Sequence, residues 1–435
     1  MEMSAPVNRL APVDRLAPVH RLANGVTVIC DHAPGFETLA LSLVAGRGAR
    51  HEDAPRSGWS HLLEHMVFKG AGARSARDIV EVIEAEGGHI NAATGQERTS
   101  FQVRALAGGL PLAMAVAADL VLRPTLDAGD LAREIHVVGQ EIAEAADAPD
   151  DQVFELAHAA AFAGQALGRP ILGRPETIAA ADPSRLAAWR SQIYALDRIV
   201  VSASGAVDED ELLRLAEAAF AAEPAPAAPL AADAAAFTGG AAREKRRLEQ
   251  AHLVFLLPAA GIADPDYWPL RLFAEMLGGG MSSRLFQEAR EKLGLAYAID
   301  AWADAWTDAG VLGIYAGCAA RDAGRLAELA ARETRALARG PAAGELARAK
   351  AQVKSGLFMS RESLAVRAEQ AAAQILAFGR LIPDAQFAAE VEAVGEADVA
   401  RLAARLLAPG KAASAALGPV PALDAPARFE AALFG

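Results

Sequence analysis

A chain of 435 residues is too long for one core of ordinary size, so two or more domains are expected. Hydrophobic residues at 53% and charged residues at 22% describe a globular chain rather than a disordered one. The formal charge of −13 speaks against nucleic acid as the main partner, and the lack of any run of about 18 apolar residues speaks against a membrane span.

The N-terminal stretch "MEMSAPVNRLAPVDRLAPVHRLANG" repeats a hexad ("NRLAPV", "DRLAPV", "HRLANG") and has no apolar core of the kind a secretory signal needs. It reads as a leader over residues 1–19, and a cytoplasmic protein is expected. From His20 the pattern becomes structured. "HRLANGVTVICDH" places an Asn-Gly turn between apolar runs, a hairpin signal. "TLALSLVAGRGAR" reads as a strand. "GWSHLLEHMVFKG" reads as a helix that Ser57 or Ser60 can cap and that Gly70 and Gly72 end. "SARDIVEVIEAEGG" is a second amphipathic helix, capped by Ser75 and stopped by Gly87-Gly88. "HINAATGQERTSFQVRAL" returns to strands and a turn. Helices follow from about Gly108 to Ala146, broken near Pro124.

"DRIVVSASGAVDEDELLRLAEAAF" is a strand, a turn and a helix, and an Ala/Pro-rich linker follows over residues 223–238. The pattern then begins again with strand "HLVFLLPAAG", helix "DYWPLRLFAEMLGGG" and strands "GLAYAIDAWADAW" and "GVLGIYAGCAA". Two similar halves suggest an internal repeat of about 200 residues. The expected fold is α+β, with two homologous domains at 20–222 and 239–435, each a largely antiparallel sheet packed with helices. Cys30 and Cys318 stand far apart in sequence and are expected to be reduced, buried thiols.

The chemistry concentrates in "HLLEH". On a helix, residues i and i+4 lie on one face, so His61 and His65 can present two imidazoles to one cation. Glu64 flanks the same spot. The order H-x-x-E-H inverts the H-E-x-x-H of zincin helices but supplies the same parts, two metal-binding imidazoles and a carboxylate that can take a proton from water. A third protein ligand must come from elsewhere. "DLAREIHVVGQEIAEAAD" carries Glu134 and Glu141 two turns apart on one helix face, with Glu144 three further on. Spacing leaves Glu134 and Glu141 equal candidates. His136 points away from Glu134 and reads as a surface or satisfied histidine.

The stretches "GWSHLLEHMVFKG", "GGHINAATGQERTSF" and "EIHVVGQEI" together resemble the inverzincin metallopeptidases, the pitrilysin/insulinase-like M16 family. The resemblance is nearest to the short branch of mitochondrial processing peptidase β-subunits and bacterial relatives, and covers nearly the whole chain from His20. It implies that Glu141 is the third ligand of one Zn²⁺ per chain, that Glu134 orients a histidine, and that Glu64 is the general base of a zinc endopeptidase. In the second half, "LGGGMSSRLFQEAREKLGLAYAI" resembles a family motif whose Arg and Tyr hold substrate, here Arg290 and Tyr297. From residue types alone, Arg290 pairs with Glu288 or Glu291 on a solvated helix, and Gly278–Gly280 form a tight turn. Phe101 stands where many relatives carry Tyr. Asn91 and Ala92 are candidates for an edge strand to which an extended peptide substrate adds. The family's clamshell of four domains implies a homodimer for a chain with two, with a heterodimer with a related subunit as the alternative. A non-catalytic structural or peptide-binding subunit of the same fold is the second reading, and a zinc hydrolase of a non-peptide bond is a third.

Overall fold

A computed structural model describes residues 16–221 and 230–435. The leader up to residue 15 and residues 222–229 of the expected linker lie outside the described residues, while residues 230–238 carry neither helix nor strand. Strand β1 (Val19–Arg21) starts one residue inside the expected leader, at the join of the second and third hexads, and pairs with β2 (Thr27–His32) around the expected Asn24-Gly25 turn.

The first half continues through β3 (Thr38–Ala45), α1 (Trp59–Val67), a short ribbon of β4 (Gly70–Ala71) and β5 (Arg74–Ser75), and α2 (Ala76–Ala85). The hairpin β6 (His89–Thr94) and β7 (Thr99–Leu106) leads to α3 (Leu110–Leu122), α4 (Ala128–Asp147), α5 (Pro149–Ala161), α6 (Pro175–Ala179) and α7 (Pro183–Ile193). Strand β8 (Ile199–Gly205) and α8 (Glu209–Phe220) end it. The second half runs β9 (Gly240–Lys245), β10 (Gln250–Ala259), α9 (Tyr267–Ala274), two wide π-type turns at Glu275–Gly279 and Phe286–Lys292, β11 (Ala296–Ala305) and β12 (Gly310–Ala319). It closes with α10 (Ala323–Ala338), α11 (Glu345–Ser360), α12 (Leu364–Phe378), α13 (Asp384–Ala393), α14 (Glu396–Leu407), β13 (Ala413–Gly418) and α15 (Ala425–Phe434).

Strand order makes the repeat explicit. The first sheet is β1-β2-β8-β3-β7-β6 and the second is β11-β12-β10-β13-β9. Read from opposite ends, and setting β1 aside, both place the strands of a half in the order first, last, second, fourth, third. In both the one parallel pair joins first and last strands, β2 with β8 and β9 with β13. The largely antiparallel α+β expectation therefore holds, and β6 and β11 are equivalent edges.

Each half packs one face of its sheet on its own helices. Strand β3 and helices α1 and α3 share the first core, and β10, α9 and α10 share the second. The other faces are covered reciprocally. Helix α5 of the first half lays Val153, Ala157 and Ala161 on Val254, Leu256, Ala413 and Ala415 of the second sheet. Helix α12 of the second half lays Ala371 and Ala372 on Ile29, Val44 and Val200 of the first. Arg50 pins the same junction. Its buried guanidinium donates to Glu97 Oε1 (2.6 Å), in the β6–β7 turn, and to Asp308 Oδ2 (2.7 Å), in the β11–β12 turn, while Glu97 accepts from Thr307 N (3.0 Å). Cys30 and Cys318 are both buried and unpaired, and burial pushes their thiols up to about 11 and about 12. Among the described residues no helix is long and apolar enough to cross a membrane.

Helix α1 departs from expectation at both ends. Neither Ser57 nor Ser60 caps it. Its first flanking residue is Gly58, at φ +89°, where a Cβ would stand 2.5 Å from Leu172 O and 2.6 Å from Gly173 Cα. The capping acceptor comes from outside the helix: the buried Glu52 carboxylate accepts from Gly58 N (2.8 Å) and Ser60 N (2.7 Å). The helix stops at Val67, and Gly70 lies beyond it, in the β4–β5 ribbon. Ser75 caps α2 as expected, accepting from Asp78 N.

Burial raises the Glu52 carboxyl from its ordinary value to about 7, against the lowering effect of its two backbone donors. A carboxyl raised on folding contributes stability fully present below its ordinary range and lost as pH rises through about 7. In metal-free protein the depressed imidazoles of His51 and His61 act in the opposite sense over part of this range, so the Glu52 contribution is read as a difference: the urea midpoint of wild type should lose ground to that of Glu52→Gln as pH rises from 5 to 8. An unchanged pH slope in the variant would assign the titration elsewhere.

Candidate metal centre

The residues of α1 divide by face. Trp59, Leu62, Leu63, Met66 and Val67 are buried in the first core, with Ser60 buried among them, and His61, Glu64 and His65 turn away from it, toward α4 and β6. Helix α4 begins at Asp127, whose side chain accepts from Gly129 N and Asp130 N. Its buried stripe, Leu131, Glu134 and Val138, brings Glu134 and, two turns on, Glu141 to the same side.

The result is one compact cluster. Glu141 Oε2 lies 3.4 Å from His65 Nε2 and 3.7 Å from His61 Nε2. The two imidazoles stand edge to face with centroids 4.7 Å apart. Among the described residues, His61, His65 and Glu141 form the one group of three with ligand atoms all within 4.8 Å of each other. The carboxylate spacings are long for hydrogen bonds. They suit a shared ion, since bonds of about 2.0–2.2 Å at tetrahedral angles separate ligand atoms by about 3.3–3.6 Å. Two imidazoles and a carboxylate are also the donor set of catalytic zinc sites, which leave a fourth position open. The residues present therefore fit the ion.

The supporting contacts choose between the two glutamates that spacing left equal. Glu134 is 5% exposed, with Oε2 3.1 Å from His65 Nδ1 and Oε1 2.8 Å from Lys69 Nζ. Accepting from Nδ1–H presents the Nε2 lone pair of His65 to the cluster. Glu141 faces the Nε2 atoms themselves. Glu144, one turn beyond, is exposed, and so is His136, whose ring lies 3.4 Å from Gln140 Nε2. Burial, and then the charge of His65, push His61 down to about 4, so its imidazole is neutral at ordinary pH.

Glu64 is held separately. Its Oε2 accepts from Thr94 Oγ1 at 2.6 Å. Burial raises its carboxyl above the ordinary range, opposed by the Thr94 hydroxyl and by His65. Thr94 ends the edge strand β6, so the Glu64 carboxylate is tied directly to the strand beside it. Sequence reasoning missed Thr94. The available signal was alternation: Ile90 and Ala92 pack inward, and Thr94 shares their side of the strand. Lys69 and Glu52 were missed as well. Buried Tyr194 packs edge to face on Phe101 at 5.5 Å, with no hydrogen-bond partner for its hydroxyl among the described residues.

Asn91 and Ala92 lie on β6, which among the described residues pairs only with β7 and leaves its outer edge open. Arg290 makes neither of the ion pairs its helix offered. Glu288 pairs with Lys292 instead, and the Arg290 guanidinium sits 4.8 Å over the Phe286 ring. Tyr297 is 76% exposed at the start of edge strand β11. Neither hydrogen-bonds or ion-pairs with the His–Glu cluster of its own chain. The glycines at 278–280 serve close packing as well as a turn: a Cβ on Gly278 would stand 2.4 Å from Ala301 N.

Two family models match the chain in succession. Residues 27–175 match the family "Insulinase (Peptidase family M16)", and residues 180–353 match "Peptidase M16 inactive domain". Helix α9, the counterpart of α1, carries neither His nor Glu. An uncharacterised zinc protease of Rickettsia bellii is 34% identical over 401 residues, covering 91% of this chain and 96% of that protein. One of Bacillus subtilis is 35% identical, with coverage of 78% and 83%. The mitochondrial-processing peptidase β-subunit of Lentinula edodes is 31% identical over 92% of this chain and 90% of its own. Among solved structures, a Helicobacter pylori protease superposes with a TM-score of 0.86 at 18% identity, over 93% and 100% of the two chains. Joined to a cluster with the spacing of a metal site, these matches show that the chain belongs to the M16, insulinase-type, peptidase family.

Proposed function

We propose that the chain is a zinc-dependent endopeptidase for short or unfolded peptides. His61, His65 and Glu141 hold one Zn²⁺ per chain, Glu64 is the general base, and Glu134 fixes His65. The observation that carries this reading is the spacing of 3.4 and 3.7 Å from Glu141 Oε2 to two imidazole nitrogens, with the Glu64 carboxylate on the same helix face. When bound, the ion supplies Lewis-acid polarisation of a carbonyl and stabilises developing negative charge on its oxygen.

The protein's own groups do the rest. A substrate in extended form adds to the open edge of β6, pairing with the backbone at Asn91 and Ala92, so that recognition rests on main-chain hydrogen bonds. Glu64 takes a proton from the attacking water and returns it to the leaving amide nitrogen. Burial suits it to this task, because a raised carboxyl is a stronger base than an exposed one. The Thr94 hydroxyl holds the carboxylate in place while either oxygen works. Arg290 and Tyr297, exposed and unattached to the cluster of their own chain, are proposed to serve the cluster of a second copy in a C₂ homodimer. A related, non-identical subunit is the alternative partner.

Glu64→Gln should keep its zinc, since the residue is not a ligand, and lose 10²–10⁴-fold in turnover. Loss of zinc as complete as in His61→Ala would make Glu64 a ligand. Wild-type protein that binds zinc and peptides without cleaving them would instead be a peptide-binding subunit. Glu141→Gln should lower zinc affinity more than Glu134→Gln, as metal content after mild chelation would register, and the opposite ranking would transfer the ligand role.

Subunit exchange tests the composite site. Mixing inactive Glu64→Gln with inactive Arg290→Ala/Tyr297→Phe should restore about a quarter of native activity, since half of randomly formed dimers are mixed and each has one complete site of two. No recovery despite demonstrated exchange would put the whole site within one chain.

A further inference from the structure

The second half contains a cavity that the peptidase reading does not use. It lies between α9, α11, α12 and α13, has a volume of about 180 Å³ and is partly open to solvent. Five of its twelve lining residues are aromatic (Tyr267, Trp268, Phe358, Phe378 and Phe387) in a chain that is 6% aromatic. Trp268 is the centre of the wall, edge to face with Tyr267 at 5.0 Å and with Phe387 at 5.5 Å. Its indole N–H is already spent on Glu390 Oε2 at 2.8 Å.

One polar group in this wall is half used. Gln374 is 8% exposed, and its Oε1 accepts from Ile382 N at 2.8 Å. That bond settles the orientation of the amide, because only the oxygen can accept from a backbone N–H. The Nε2 donors then have no partner among the described residues. They are not sealed from water, so they stand free to donate to an oxygen in the cavity, whereas Gln370, the other amide of the lining, already donates to Ser360 Oγ at 3.2 Å. The two charges in the lining, Arg361 and Asp384, pair with each other. They cancel, so the cavity offers no net charge to neutralise an ionised ligand, which would lose its hydration for nothing.

We infer that this cavity binds a small neutral carbonyl compound, with an apolar body about the size of one aromatic ring among the Trp268 group and its oxygen accepting from Gln374 Nε2. The opposite face of α12, through Ala371 and Ala372, is what covers the first sheet. An occupant would therefore brace the helix that joins the two halves.

Acetophenone, ethylbenzene and benzoate test the inference by calorimetric titration of the full chain, with and without chelator. The first supplies ring and carbonyl, the second only the apolar body, the third a charge. Acetophenone should bind one per chain with a dissociation constant below about 1 mM, within reach of so few atoms. Ethylbenzene and benzoate should bind at least tenfold more weakly, and chelation should change none of the three, which keeps the result separate from the metal reading. Gln374→Leu should bring acetophenone down to the level of ethylbenzene. Should that variant unfold for want of its bond to Ile382 N, Ala373→Phe serves instead, filling the cavity from the neighbouring wall and abolishing all binding with Gln374 intact. Non-saturable heats, equal affinity for acetophenone and ethylbenzene, or binding that survives Ala373→Phe would overturn the assignment.

Discussion

Reciprocal cover of the two sheets is the constraint on which the molecule depends. A sheet buried on one face by its own helices still has an apolar second face, and here that face is closed by a helix from the other half. For the first sheet the helix is α12, fastened at its start by Arg367 to Asp31 (2.6 and 2.7 Å) and along its length by Glu369, which accepts from Ser100 Oγ at 2.6 Å. For the second sheet it is α5, which follows directly on α4. The helix that carries Glu134 and Glu141 is thus continuous with the helix that clamps the opposite half, and the position of those carboxylates is set by both cores at once.

Within that frame the site is an alternation of charge and neutral donor. Lys69, Glu134, His65 and Glu141 form a chain in which each group faces an opposite or complementary neighbour. Burying Glu134 is tolerable because both of its oxygens are engaged. The neutral state of His61 comes first from burial and then from the charge of His65, and among the described residues its Nδ1 has no hydrogen-bond partner. One histidine is oriented by a carboxylate and the other by packing alone, which makes the pair unequal although the motif H-x-x-E-H treats them alike.

What the sequence disclosed was what local periodicity can carry. The Asn24-Gly25 hairpin, the Ser75 cap, the alternating β6–β7 pair and the i, i+4 histidines each depend on neighbours within a few residues, and all are present. The ligand choice between Glu134 and Glu141 needed family resemblance or coordinates, because seven-residue spacing gives both the same face. Glu52 was invisible for a different reason. It caps α1 from six to eight residues upstream through a loop that doubles back, whereas capping rules look at the residue next to the helix, where two serines stood as decoys. Helix α5, "PDDQVFELAHAAA", has ordinary amphipathic patterning. Nothing in such a pattern says which sheet its apolar side will meet.

The exchange of α5 and α12 also has a historical reading. Two half-length chains with this strand order, each lending its helix to the other's sheet, would be a domain-swapped dimer, whose closure depends on protomer concentration. Joining them through the segment before β9 turns that encounter into an intramolecular one at fixed effective concentration. Once fused, the copies no longer had to be alike, and α1 and α9 differ accordingly: one carries His61, Glu64 and His65, and the other presents Tyr267 and Trp268 to a cavity.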